Sequence, residues 1–169
     1  SDPLSKFGAK FKLNKNKNLP LTIRGSEDLH SIKYFENKGS AQCKSSVIFG
    51  GMRSSGTTYI KAKKSRNHTE LLCKYLKLPI VIKKKRNYDE IKVSNVKSIK
   101  PLNYNIPSDI SSGAFFIVLT ALLNKSEITI KNVNVNPSRT GVITILRKMG
   151  IKIILKNLRT YKGEKVSDI

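Results

Sequence analysis

The sequence has few cysteines, few acidic residues and no long apolar run, and each shortage excludes a class of protein. Its two cysteines, Cys43 and Cys73, lie far apart, so we predict no disulfide framework, no metal site and a reduced cytoplasmic setting. The longest apolar run, from Ala114 to Leu123, is shorter than the roughly 18 residues that a membrane span needs. The sequence therefore predicts no membrane partner.

The shortage of acidic residues leaves the chain strongly basic. It has 11 acidic residues against 33 lysines and arginines, which gives a formal net charge of +22 and is typical of proteins that bind nucleic acid. Surfaces that bind bases or phosphates favour arginine, however, and here lysine dominates, with clusters at 12–17, 61–64 and 83–86. No predicted strand carries clustered aromatics. We predict no nucleic-acid partner and keep a basic nucleic-acid-binding module as an alternative.

Helix and strand patterns alternate along the chain, which predicts an α/β protein. Two passages repeat the order strand, helix, strand, helix, strand, strand, and the chain begins with the tail of a third. Phe7-Gly8 and Met149-Gly150 each end a predicted helix, and each glycine is expected just after the last turn. Repeats of this size indicate units that bury their helices against one another.

Individual elements are predicted from caps, apolar spacing and turn residues. They are strands at Leu19–Arg24 and Ser31–Phe35 around a turn at 25–28, a helix from Ser40 to Met52, a hairpin of Ile80–Ile82 with Ile91–Val96, a helix at Gly113–Leu123 capped by Ser108 or Asp109, a strand at Glu127–Val133, a helix at Ser138–Met149 begun by Asn136-Pro137, and a strand at Ile151–Leu155. Arg139 is predicted to be a structural partner near the start of the last helix.

The stretch from Gly39 to Ser46 has the composition of an anion-binding helix start. Ser40 is a typical N-cap, and the first turn of a helix carries unpaired N–H groups and a partial positive charge. Gln42 adds an amide, and Lys44 adds a cation one turn further along. We interpret the stretch as a seat for a phosphate ester, with a plain helix cap as the simpler alternative.

A second helix start is predicted at Asn67. Asn67 and Glu70 have the spacing of a capping box, in which the Glu70 side chain reaches back to the cap. We interpret His68 as a histidine of the helix start rather than as a catalytic acid or base.

Six sequence blocks, in order, resemble those of one enzyme family. They are Leu19-Pro-Leu-Thr-Ile-Arg-Gly25, Gly39-Ser-Ala-Gln-Cys-Lys-Ser45, Ser65-Arg-Asn-His-Thr-Glu70, Ile106-Pro-Ser-Asp-Ile-Ser-Ser112, Asn136-Pro-Ser-Arg-Thr-Gly141, and Gly163-Glu164 with Asp168. The chain resembles the 5-enolpyruvylshikimate-3-phosphate (EPSP) synthases of the shikimate pathway over nearly its whole length. The resemblance implies the enolpyruvyl transferase fold, an inside-out α/β barrel of six βαβαββ units, of which about two and a part are present here. It assigns residues 1–104 to the first of two lobes and 105–169 to the second.

The resemblance also implies a site and a reaction. Ser40, Ala41 and Gln42 match the loop that holds shikimate 3-phosphate in the family, and Ser65 and Arg66 match a second contact to the substrate phosphate. The implied reaction transfers the enolpyruvyl group of phosphoenolpyruvate to the 5-hydroxyl of shikimate 3-phosphate, without a cofactor. The related transferase that acts on UDP-N-acetylglucosamine stays an alternative.

Several blocks of the family have no match in these residues. Among them are the phosphoenolpyruvate-binding arginine, the catalytic aspartate and a later cluster of lysine, glutamate and arginine. We therefore expect an internal fragment with no catalytic residue of its own. Alone, it is expected to bind the substrate phosphate weakly and not to turn over.

Overall fold

A computed structural model describes residues 2–14 and 19–169, and it divides the chain into two compact units on either side of the Lys100–Pro101 bond. Most of the predicted lysine cluster at 12–17 lies outside the described residues. The first unit contains helices α1 (Asp2–Lys6), α2 (Ala41–Arg53) and α3 (His68–Tyr75), and strands β1 (Lys10–Leu13), β2 (Leu21–Arg24), β3 (Lys33–Glu36), β4 (Thr57–Lys63), β5 (Ile80–Lys84) and β6 (Tyr88–Ser94). The second contains helices α4 (Ile110–Leu122) and α5 (Gly141–Lys148), and strands β7 (Val133–Asn134), β8 (Lys156–Tyr161) and β9 (Glu164–Asp168).

The main sheet of the first unit has the strand order β3-β4-β6-β5, with β3 parallel to β4 and the other pairs antiparallel. Alternate residues of β4 and β6 are buried, as a sheet with one covered face requires. Helix α2 covers that face, where Val47 and Ile48 join Ile60 and Ile91 in the core. This packing fixes the start of α2 relative to the end of β4.

Helix α2 lies close enough to β4 that only glycine fits at one of its positions. A Cβ atom added at Gly51 would lie 2.9 Å from the Cβ of Thr58 and 3.3 Å from that of Val93. Both neighbours belong to strands and cannot move without disturbing the sheet.

The predicted repeat is confirmed by the topology of the two units. The first unit runs β3, α2, β4, α3, β5, β6, which is the predicted βαβαββ order. In the second unit the order β7-β9-β8 matches β4-β6-β5, and a parallel bridge from Ser108 to Val133 takes the place of the β3–β4 pair. At the front, α1, β1 and β2 match the helix and two strands that end a unit.

Two glycines end their helices as predicted. Gly8 follows α1 with a φ of +114°, and Gly150 follows α5 with a φ of +90°. Both values lie where a residue with a side chain would be strained, so glycine is needed for the chain to leave each helix.

Most of the first-unit elements are confirmed, including the two strands around the turn at 25–28. The predicted helix from Ser40 and the hairpin that is now β5 and β6 are both present. The strands predicted on either side of the turn at 25–28 do not pair with each other, because β2 pairs with β1 and β3 pairs with β4. The backbone at Ile32 already faces β4, since its N–H donates to the hydroxyl of Thr58 and its carbonyl accepts from Tyr59.

In the second unit the strand predicted at 127–133 is reduced to two residues at its end. Asn132 has a φ of +56°, which breaks the extended backbone just before Val133. The Asn132 N–H donates instead to the carboxylate of Asp168, which also accepts from the Asn157 side chain. Both hydrogen bonds hold the pKa of Asp168 below its usual value, and the one from the Asn132 backbone has the larger effect.

The helix predicted from Ser138 begins later, and the strand predicted at 151–155 is absent. The side-chain oxygen of Asn136 accepts from both the N–H and the hydroxyl of Ser138, so the chain turns there, and the helix starts at Gly141 after Thr140 as its cap. The strands that complete the sheet are β8 and β9, which the sequence patterns did not indicate.

The expectation that no strand face carries clustered aromatics is wrong. Phe35, Tyr59 and Tyr88 lie on the exposed face of neighbouring strands β3, β4 and β6. Lysines pack over these rings, with the Lys61 ammonium 4.3 Å from the centroid of Tyr88 and that of Lys92 5.2 Å from Tyr59. Part of the positive charge is thus held against the protein's own rings.

Candidate functional site

The start of α2 is built as the sequence predicts. Ser40 has extended backbone angles, and its hydroxyl accepts from the Cys43 N–H at 3.2 Å, so Ser40 is the N-cap. The turn before it is held by Glu36, which is 1% exposed and accepts from the N–H groups of Lys38 and Gly39 at 3.0 and 2.8 Å. Sequence reasoning missed the role of Glu36. Its position, a carboxylate at the end of a strand and three residues before Gly39, could have indicated that it holds this turn.

The first turn of α2 leaves backbone N–H groups for a ligand. Cys43 donates to the cap, and Lys44 donates to the Ser40 carbonyl. The N–H groups of Ala41 and Gln42 precede the first bond within the helix, and the helix dipole adds partial positive charge there. This end of the helix suits an anion.

The predicted capping box at the start of α3 is wrong. The helix begins at His68 after Asn67, but the Asn67 side chain makes no capping hydrogen bond. Glu70 is buried and turned away from the cap, with one carboxylate oxygen 2.7 Å from the Lys44 ammonium. Because α3 begins at His68, Ser65 lies in the connection from β4 to α3 and not in the first turn of the helix.

The prediction that Lys44 faces the anion is also wrong. Its side chain is 1% exposed and lies between α2 and α3. The ammonium pairs with Glu70 and donates to the backbone carbonyl of Arg66 at 2.9 Å. A buried charge needs such partners, because leaving it unpaired away from water is costly.

Three of the five predicted site residues meet at one open cavity of about 450 Å³. Ala41 and Gln42 line it from α2, and Arg66 lines it from the connection before α3. The two segments are joined beside the cavity by a 2.6 Å hydrogen bond between the hydroxyls of Ser45 and Thr69. The two helix starts are therefore neighbours, as the hypothesis of a shared site requires.

The other two predicted residues do not line this cavity. Ser40 is engaged as the cap of α2, and the Ser65 hydroxyl is buried with no hydrogen-bond partner within the described part of the chain. The Arg66 guanidinium likewise has no ion pair or hydrogen bond among residues 2–14 and 19–169. The cavity thus brings together one unpaired guanidinium, one side-chain amide and two backbone N–H groups, all of which donate hydrogen bonds.

The hydrogen-bond donors gathered at the cavity suit an anion. His68, the first residue of α3, lines the same cavity.

Within the described ranges, no group of three or more His, Cys, Asp or Glu side chains is placed to hold a metal ion. The described helices include none that is long and apolar enough to cross a membrane.

The corresponding residues of the second unit have structural roles, as predicted. Asp109 caps α4 by accepting from the Ser111 N–H at 3.1 Å. The Arg139 guanidinium pairs with the Asp109 carboxylate at 2.7 Å, which ties the turn before α5 to the start of α4.

Comparisons with known proteins agree with the resemblance in the sequence. The family model described as EPSP synthase (3-phosphoshikimate 1-carboxyvinyltransferase) matches residues 1–168. The 3-phosphoshikimate 1-carboxyvinyltransferase of Caldicellulosiruptor bescii is 40% identical over 171 residues, covering 99% of this chain and 39% of that protein. The protein of the same name from Thermoanaerobacter pseudethanolicus is 41% identical over 170 residues, covering 99% and 38%.

Solved structures show the same relationship. An EPSP synthase from Acinetobacter baumannii superimposes with a TM-score of 0.81 at 32% identity, over 99% of this chain and 37% of that one. The chain spans about two fifths of the length of the curated relatives that it matches. By its sequence and its fold, the chain belongs to the EPSP synthase family.

Proposed function

We propose that the protein transfers the enolpyruvyl group of phosphoenolpyruvate to the 5-hydroxyl of shikimate 3-phosphate, and that this chain supplies part of the shikimate 3-phosphate site. The observation that carries the proposal is the cavity where Ala41, Gln42 and Arg66 meet. Family membership supports the reaction, since the relatives are named for it. The proposal includes a cytoplasmic location and no cofactor.

Each donor at the cavity has a role in this proposal. The Arg66 guanidinium binds two phosphate oxygens through parallel charge-assisted hydrogen bonds. The N–H groups of Ala41 and Gln42 bind the same phosphate at the start of α2. The Gln42 amide, which both donates and accepts, binds a hydroxyl of the substrate or the neighbouring phosphoenolpyruvate. Ser65 does not line the cavity itself, and in this proposal it completes the set from its place next to Arg66 in the chain by turning its unpaired hydroxyl toward the ligand.

This chain is assigned binding rather than chemistry. The 5-hydroxyl oxygen loses its proton as it adds to the enolpyruvyl carbon, and a proton goes to the methylene, which becomes a methyl group. The tetrahedral intermediate then loses phosphate together with a proton of that methyl group, which restores the double bond. These steps need a base near the hydroxyl, an acid near the methylene and cations on two phosphates. The donors of the cavity supply part of one phosphate site, so we assign no catalytic residue here.

The same proposal covers the domain organisation. We place residues 1–104 in one lobe and 105–169 in the other. The division of the chain into compact units at the Lys100–Pro101 bond supports a boundary in this region.

Replacing Arg66 tests the proposal. We expect Arg66→Ala to weaken binding of shikimate 3-phosphate by about ten- to a hundredfold, since hydrogen bonds to charged groups contribute roughly 1.5–3 kcal/mol. Isothermal titration calorimetry measures the change. Arg86→Ala is the matched control, because it removes the same charge from an exposed residue of the same unit. Equal affinity of the Arg66 variant and the parent would contradict the proposal.

Ligand choice separates the alternatives. We expect shikimate 3-phosphate to raise the melting temperature, and UDP-N-acetylglucosamine and a single-stranded oligonucleotide to leave it unchanged. A shift with the nucleotide sugar alone would favour the related transferase. Salt-dependent binding of the oligonucleotide, without a response to shikimate 3-phosphate, would favour a nucleic-acid-binding module on the lysine-covered aromatic face.

A further inference from the structure

The Lys44–Glu70 pair is a deeply buried ion pair. The side chains are 1% and 5% exposed, and the ammonium lies 2.7 Å from one carboxylate oxygen. Removing two charges from water is costly, and apolar residues of similar size usually support a fold equally well or better. Stability alone therefore gives no reason for charges at these two positions.

The carboxylate is also incompletely satisfied. The second oxygen of Glu70 is buried and has no hydrogen-bond partner among the described residues. An unsatisfied buried oxygen lowers stability further. Both observations indicate that the pair serves something other than the stability of the fold.

The ammonium makes a second contact that connects the pair to the site. The Lys44 Nζ donates to the backbone carbonyl of Arg66 at 2.9 Å. Lys44 belongs to α2 and Glu70 to α3, so one side chain holds both helices and the backbone of the residue between β4 and α3. Neither member of the pair lines the cavity, whereas Arg66 does.

We propose that Lys44 and Glu70 are positioning residues, which hold the Arg66 backbone against the first turn of α2 so that the guanidinium and the helix N–H groups face one phosphate. Glu70 keeps the Lys44 ammonium in place, and Lys44 fixes the position from which the Arg66 side chain extends. This inference rests on the proposed function, because the phosphate is that of shikimate 3-phosphate.

A double variant separates positioning from stability. Lys44→Met with Glu70→Met replaces the pair by apolar side chains of similar length, so we expect a melting temperature close to that of the parent. The hydrogen bond to Arg66 is lost, so we expect the dissociation constant for shikimate 3-phosphate to rise about tenfold, as one lost charge-assisted hydrogen bond implies.

Val93→Ala provides the control. Val93 is fully buried beside the last part of α2, so its truncation lowers the melting temperature without touching the pair. We expect its affinity for shikimate 3-phosphate at a temperature where it is folded to equal that of the parent. If the double variant binds as tightly as the parent, the pair is merely structural and the inference is wrong.

Hydrogen exchange tests the inference without a ligand. We expect the backbone amide of Leu71, which donates to the Asn67 carbonyl at 3.0 Å, to exchange faster in the double variant than in the parent, and those of β4 to be unchanged. Unaltered protection of the Leu71 amide would overturn the inference. Failure of the parent to bind shikimate 3-phosphate would instead contradict the proposed function, and the exchange rates would still decide the role of the pair.

Discussion

At the scale of single residues, Cys73 shows how burial controls reactivity. It is 2% exposed on α3, and burial, assisted by the nearby Glu70 carboxylate, raises the pKa of its thiol to about 11. The thiolate is the reactive form, so at pH 8 only about one thiol in a thousand is ionised. We expect iodoacetamide to modify Cys73 slowly in the folded chain and readily in urea, as measured by mass spectrometry of its peptide.

The chain contains its own comparison for this experiment. Cys43 is partly exposed in the first turn of α2 and belongs to the same folded unit. Modification of Cys73 in the native chain at the rate found in urea would contradict the prediction.

Sequence reasoning succeeded for residues whose roles are local and failed for those whose partners are distant. Ser40 was predicted as a cap because its partner, the Cys43 N–H, is three residues away. Lys44 was predicted to face a ligand, and Glu70 was predicted to cap its own helix. The position of each residue within its helix allows the predicted role as well as the observed one. They pair instead across 26 residues, and only the packing of α2 beside α3 makes that contact possible.

At the scale of elements, the contact of α2 with β4 makes Gly51 a sensitive position. Alanine is the better helix former by roughly 1 kcal/mol, but its Cβ would lie 2.9 Å from that of Thr58. We expect overpacking to dominate, so Gly51→Ala should lower the free energy of unfolding by about 1–3 kcal/mol. Urea denaturation followed by circular dichroism measures the change.

Gly141 at the start of α5 is the matched control. A Cβ atom added there has no neighbour within 4 Å. We expect Gly141→Ala to leave the free energy of unfolding unchanged or to raise it by up to about 1 kcal/mol. A Gly51 variant as stable as the parent would show that α2 does not pack on β4 as described.

The elements that were predicted have strong apolar patterns, and those that were missed do not. Strand β5 begins with the apolar run Ile80–Ile82, β6 alternates apolar and polar residues from Ile91 to Ser94, and their pairing followed from the short connection between them. Strand β8 is exposed at nearly every position, so no alternation marks it. The strand predicted at 127–133 has the right composition, but its backbone turns at Asn132 for a hydrogen bond to a residue 36 positions away.

At the scale of the whole chain, helix α4 carries an unusually apolar exposed surface. Phe115 and Leu122 are 79% and 78% exposed, and Phe116, Leu119 and Leu123 are also exposed. Patches of this kind bind apolar partners. We expect the chain to bind the dye 8-anilinonaphthalene-1-sulfonate, and Phe115→Ser with Leu122→Ser to reduce its fluorescence by about half.

Two exposed lysines provide the control for dye binding. The dye is anionic, so electrostatic attraction to this basic chain could also produce a signal. Lys83→Ser with Lys84→Ser removes charge far from α4 in the sequence and leaves its apolar face intact. A larger loss of fluorescence in the lysine variant than in the α4 variant would contradict the prediction.

The repeat was the feature of the whole chain that the sequence revealed most directly. It was visible because Gly8 and Gly150 follow helices at equivalent positions of two units, whereas Lys77, with a φ of +55°, takes that position after α3. The meaning of the net charge was harder to judge, since composition alone does not show that Lys61 and Lys92 cover aromatic rings of their own sheet.

In the order β3-β4-β6-β5, strands β3 and β5 are the edge strands, and within the described residues each has one side that pairs with no other strand of this sheet. An exposed edge strand can recruit a strand from another molecule and start aggregation. These edge strands carry exposed lysines, Lys33 on β3 and Lys83 and Lys84 on β5. If two copies paired edge strand to edge strand, these positive charges would be brought together and would repel. The abundance of lysine therefore protects the sheet from self-association.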